Sequence, residues 1–99
     1  MRIEHPYHGS VDDAKSKVGE LLPQLQTEYG NLIGNPQVSW NSEGDEMNFS
    51  FKTSGYSISG KVDIQAGLVV LTGKLHWTLK PIRGKIERAI AGKLEEVLP

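Results

Sequence analysis

Between Val38 and Thr78 the chain alternates four times and turns three times, and nothing else in it restricts the fold as tightly. Val38 and Trp40 alternate with polar neighbours before the turn Ser42-Glu43-Gly44-Asp45-Glu46. Met47, Phe49, Phe51 and Thr53 share one strand face, opposite Asn48, Ser50 and Lys52. Ser54-Gly55 turns the chain into Tyr56, Ile58, Gly60, Val62 and Ile64, and Gln65-Ala66-Gly67 turns it into a more apolar run over 68–78. Strand side chains point to opposite faces in turn, so each run has one face to bury. Connections this short reverse direction and cannot cross over, which predicts an antiparallel meander.

The flanks supply the rest of the fold. Ile3, His5 and Tyr7 alternate with Arg2, Glu4 and Pro6, so residues 2–7 read as a strand. Pro6 lacks an N–H and belongs at a strand end or on an unpaired side. Ser10 is a good N-cap, with Asp13 at the capping-box position. Val11, Ala14, Val18, Leu21, Leu22, Leu25 and Tyr29 then form one helical stripe, ended by Gly30. Pro23 crowds the carbonyl of Gly19, so the helix over 11–29 should bend or break there. Residues 31–36 read as a loop. Lys80-Pro81 opens a last helix whose stripe is Ile82, Ile86, Ala89, Ile90, Leu94, Val97 and Leu98. Burying the larger of these is worth on the order of 10 kcal/mol gross, so this helix must dock on the sheet and Ile86→Asp should unfold the domain.

The order is therefore β-α-β-β-β-β-α, an α+β fold. The first strand is expected beside the last, in a curved antiparallel sheet of about five strands. A bent N-terminal helix and a long C-terminal helix should share one face. The 99 residues have surface enough for one core, hence one domain over 1–99. The other sheet face reads as wet, except that the last strand is apolar on both sides and invites a second copy of the chain as a homodimer.

The histidines raise the question of catalysis. His5 and His8 lie three apart, near Glu4, Asp12 and Asp13. Alternation around Pro6 sends the two rings to opposite sides, which suits joint metal ligation poorly. His76 falls on the strand expected beside the first, so His5 and His76 should approach each other. The helix cap already accounts for Asp12 and Asp13. There is no G-x-S-x-G elbow, phosphate loop, G-x-G-x-x-G or cysteine. No catalytic, cofactor or metal residues are assigned.

Two other sets remain. Trp40, Phe49, Phe51, Tyr56 and Trp77 are the large aromatics of the meander, either core or the lining of a ligand gap. Lys74, Lys80, Arg83, Lys85 and Arg88, with Lys93 beyond, crowd the last helix. Residues 1–73 hold five Lys/Arg against nine Asp/Glu, whereas 74–99 hold six against three. Cations at a helix start oppose its dipole, so they need another reason. They either meet an anionic partner or offset the negative body. With a net charge of −1 and no exposed stacking platform expected, a nucleic-acid partner is disfavoured. The longest apolar run, Leu68–Leu71, is too short to cross a membrane, and the start MRIEHPYHG lacks a signal's apolar run, so the default place is the cytoplasm.

The segments HPYHGSVDDAK, SGYSISGKVDI and LTGKLHWTLKPIRGKIERAIAGKLEEVL resemble the polyhydroxyalkanoic acid system family of small bacterial proteins. The likeness runs over almost the whole chain. Its most specific part is the hairpin with Gly55 and Gly60, then a Lys-Leu-x-Trp strand end entering a basic amphipathic helix. His76 departs from the pattern, which expects a small residue there. The resemblance implies a non-enzymatic accessory or binding protein of polyhydroxyalkanoate storage, meeting a granule surface or a granule-associated protein, with no functional residue to carry over. The order of elements is also similar to a shortened Bet v1/START-like helix-grip. That likeness adds the alternative of an apolar acyl ligand between sheet and last helix. A further alternative is a histidine-dependent hydrolase or isomerase.

Overall fold

Ser54 and Gly55 both take positive φ, 51° and 80°, and Thr53 pairs with Tyr56 across them. Two consecutive left-handed residues make the tight turn whose twist matches that of the strands it joins. In this computed structural model, which describes residues 1–99, that turn links β3 (Glu46–Thr53) to β4 (Tyr56–Gln65). The neighbouring strands are β1 (Arg2–Pro6), β2 (Gly34–Trp40) and β5 (Leu68–Lys74). All five form one antiparallel sheet in the order β1-β5-β4-β3-β2, with the first strand beside the last as expected.

The N-terminal helix is broken rather than bent, into α1 (Val11–Gly19) and α2 (Leu21–Tyr29). The break at Glu20 follows from Pro23, which has no N–H to give to the Gly19 carbonyl. Ser10 caps α1 by accepting from the Asp13 N–H at 3.0 Å. The long helix α3 (Lys80–Val97) carries Pro81 in its first turn. Ala14 and Val18 of α1, Leu21, Leu22 and Leu25 of α2, and Ile86, Ile90 and Leu94 of α3 join the inward faces of the strands in one core of 21 buried residues.

Two boundaries differ from the reading of the sequence. Residues 31–36 are not a loop: Gly30–Ile33 make a 3-10 turn and β2 starts at Gly34. Pro36 is tolerated because it sits on an edge strand where the register with β3 slips between Gly34 and Gln37. The last strand ends at Lys74, not at residue 78, and Trp77–Leu79 form a 3-10 turn leading into α3.

Gly60 and Gly73 face each other across β4 and β5. A Cβ on Gly60 would fall 2.0 Å from the Thr72 carbonyl oxygen and 2.9 Å from the Phe49 ring. The ring fills the space that two absent side chains leave, so glycine is required where these strands close up. On the outer face Val70 stands between Glu4 and Asp63 and is 6% exposed. The apolar side of the last strand is thus covered largely within the chain, which removes the observation that pointed to a homodimer.

The topology also separates charge. The β3–β4 turn, the end of β5 and the start of α3 lie at one end of the sheet, which carries Lys52, Lys74, Lys80, Arg83 and Lys85. The opposite end gathers the β2–β3 turn with Glu43, Asp45 and Glu46, the first turn of α1 with Asp12 and Asp13, and the last turn of α3 with Glu95 and Glu96. The basic residues at the start of α3 therefore do not offset the acidic body; they stand away from most of it.

Candidate binding site

The chain leaves β5 through Leu75, whose side chain stays packed on the core, while His76 and Trp77 turn outward. His76 caps the 3-10 turn: its Nδ1 accepts from the Thr78 N–H at 3.2 Å, with Thr78 Oγ1 at 2.7 Å. That cap fixes the imidazole, and two rings stack on it. The Tyr56 ring lies 4.6 Å away, centroid to centroid, and the Trp77 ring 5.6 Å. Trp77 ends this column and is 80% exposed. An indole so bare is unusual, since aromatic side chains normally bury most of their large surface.

Leu75, His76, Trp77, Lys80 and Arg83 together line a hollow of about 290 Å³. Arg83 Nε donates to Glu87 Oε1 at 3.0 Å, one turn along α3. No carboxylate lies within 4 Å of Lys74, Lys80, Lys85 or Arg88. Lys80 and Arg83 sit on the flank of α3 that meets Trp77. Lys85 and Arg88 are on the other flank, where the Arg88 guanidinium folds back over Gly84. Four of the five expected cations, Lys74, Lys80, Arg83 and Lys85, therefore share one end of the molecule, Arg88 lies midway along α3, and those on the helix divide between two of its sides. Lys93 leaves the set altogether. It is buried, and it donates to Glu28 of α2 and, at 3.0 Å, to Glu96.

The aromatic set does not surround a cavity. Phe49 and Phe51 are core, with ring centroids 6.1 Å apart. Trp40, 37% exposed, lies at the acidic end against Gly19, and Tyr56 and Trp77 lie at the basic end. Between sheet and helices the all-apolar void bounded by Leu21, Leu22, Met47, Phe49, Val62, Leu71 and Ile90 admits no water-sized sphere. The larger hollow, about 600 Å³, opens elsewhere, over Gly60 and Gly73 among Asn48, Ser59, Lys61, Thr72 and Lys74. Lys61 is engaged there. Its hydrogen bond to Glu46, then the charge of Asp63, hold its ammonium above the usual range.

His5 and His76 do not meet. His5 pairs with Val69 near the start of β5, whereas His76 lies beyond its far end, about 20 Å along the strand. His5 instead places Nε2 2.5 Å from the Leu98 carbonyl oxygen. His8 gives its backbone N–H to Pro99, and Lys17 its ammonium to Val97 at 3.0 Å. The stretch that looked like half a metal site thus holds the carboxyl end of α3. Sequence reasoning missed both Lys17 and the Tyr56–His76 stack. The second had a signal in His76-Trp77-Thr78, a side-chain acceptor two residues before the N–H it caps.

No curated protein and no solved structure matches the chain. A family model does, over residues 1–98, and its description is "Putative polyhydroxyalkanoic acid system protein". The match takes in nearly the whole chain, and the chain belongs to this polyhydroxyalkanoic acid system family.

Proposed function

We propose that the chain is a non-enzymatic accessory protein of polyhydroxyalkanoate storage in the cytoplasm. It acts by binding, at the granule surface or to a granule-associated protein, through the basic, aromatic end of the sheet. One observation carries this reading: Trp77 is bare beside cations that the α3 dipole disfavours. Residues that burden the fold are expected where a partner needs them. The same reading takes the fold as a shortened helix-grip whose groove its own side chains fill, which leaves the outer end as the working surface. His5 and His76, which a hydrolase would use, lie apart, the first against the Leu98 carbonyl and the second capping the Thr78 N–H.

The test is localisation in cells filled with polymer. A fluorescently tagged chain should ring the granules, and isolated granules should release it in high salt. Diffuse fluorescence in such cells, together with no retention by washed granules at low salt, overturns the reading.

A further inference from the structure

We infer that Trp77, with Lys80 and Arg83 beside it, forms a peripheral anchor for an anionic lipid surface. This deepens the reading above by naming the chemistry of the surface.

Indole is the side chain best suited to the boundary between headgroups and acyl chains, because it joins a large apolar face to a polar N–H. Trp77 is 80% exposed, and its neighbours hold it on a rigid support: His76 is locked by its cap and stacked on Tyr56. Cations around such a ring would meet lipid phosphates as it enters. From Lys74 to Lys85 the chain carries four Lys/Arg and no carboxylate. The acidic turns lie at the far end, so an approaching anionic surface meets the basic end without repulsion from them. Opposite charge in the surface and in this end is what selects an anionic lipid surface over a neutral, zwitterionic bilayer.

A single-stranded nucleic acid is the other polyanion that stacks on rings. It needs a charged groove following a backbone and several free ring faces. Here the rings stack on one another, Tyr56 on His76 and His76 on Trp77, so they do not offer a row of free faces. The cations cluster around a protrusion instead of along a track. That geometry favours insertion into a surface over wrapping of a strand.

Trp40 allows a clean test, because it is the other tryptophan and sits at the opposite end of the sheet. In the Trp40→Phe protein, fluorescence reports Trp77 alone. Vesicles of phosphatidylglycerol and phosphatidylcholine should shift its emission to the blue and carry the protein down on sedimentation, whereas pure phosphatidylcholine should do neither. The double variant Lys80→Gln/Arg83→Gln should bind the anionic vesicles roughly 25-fold more weakly. About 1 M salt, where screening reaches only ~3 Å, should abolish binding. Trp77→Ala should lose the vesicles and keep the wild-type melting temperature, because so little of the ring is buried.

The inference is overturned if anionic vesicles leave emission and sedimentation unchanged, or if Trp77→Ala binds them as the wild type does. A blue shift with oligothymidylate but none with vesicles likewise overturns it in favour of nucleic acid. Granule rings in cells without vesicle binding overturn the lipid anchor and leave the functional reading standing on a protein partner. Vesicle binding with diffuse fluorescence in polymer-filled cells does the reverse.

Discussion

Lys17, His5 and His8 show how a residue's chemistry can be plain while its partner is hidden. The last carbonyls of α3 have no partners within the helix and lie at its negative end. Val97 receives the Lys17 ammonium, Leu98 the His5 ring N–H and Pro99 the His8 backbone N–H. A carbonyl only accepts, so His5 carries its proton on Nε2 here. Alternation along β1 was enough to separate His5 from His8. Nothing local could show that both point to residues more than 90 positions away, because that contact exists only once α3 has docked. Replacing Lys17 by Met keeps the apolar stem and removes the ammonium, together with a loose 4.0 Å ion pair to Asp13. Stability should fall by about 0.3–1 kcal/mol, read from urea unfolding, and the loss should shrink in salt. An unchanged urea midpoint at low ionic strength would remove Lys17 from the clamp.

At the scale of elements, α3 is held against α2 by Lys93 and opposed at its start by Lys80. The stripe of α3 was legible because apolar residues recur at helical spacing. Lys93 falls on the same stripe, but its pairing with Glu28 was not legible, since charge pairs leave no periodic signal. Hydrogen bonds to Glu28 and then to Glu96 hold the Lys93 ammonium above the usual 10.5, against the opposing pull of burial. A group whose pKa is raised on folding contributes fully below its unfolded value, and the contribution is lost as pH rises through the folded one. The stability difference between wild type and Lys93→Met should therefore stay level between about pH 7 and 10 and then move against the wild type at higher pH. Urea midpoints across that range decide it, and a difference that stays level to about pH 12 would sink the pairing. At the other end, α3 has no side-chain cap and no acidic residue in its first turn. Lys80→Glu should stabilise the helix by about 0.3–1 kcal/mol and raise the melting temperature. The same substitution should weaken docking on an anionic partner, so stability and binding move in opposite directions. A lower melting temperature would mean that Lys80 serves the fold.

For the whole molecule, the meander and the covering helices could be read early because turn chemistry and periodicity agree along the chain. The end of β5 could not, since Leu75 continues the apolar pattern after the backbone has left the sheet. That small shift moved His76 and Trp77 from a strand to a bare corner. Charge was half legible: the sequence shows an acidic front and a basic tail, but only the antiparallel topology decides whether they cancel or separate. They separate, along a body 37 Å in its longest dimension. This has a consequence independent of any biological partner. With a sequence pI of about 6.3 the chain is net negative at pH 7.5, and evenly mixed charges would send it straight through a sulfonate resin. A molecule with a coherent basic end should be retained there at low salt, and by a quaternary-amine resin too, through its acidic end. Replacing Lys80, Arg83 and Lys85 by Gln makes the net charge more negative by three and should abolish sulfonate retention while strengthening retention on the amine. Wild-type protein that passes unretained through the sulfonate column at low salt would show that the two ends do not act as separate poles.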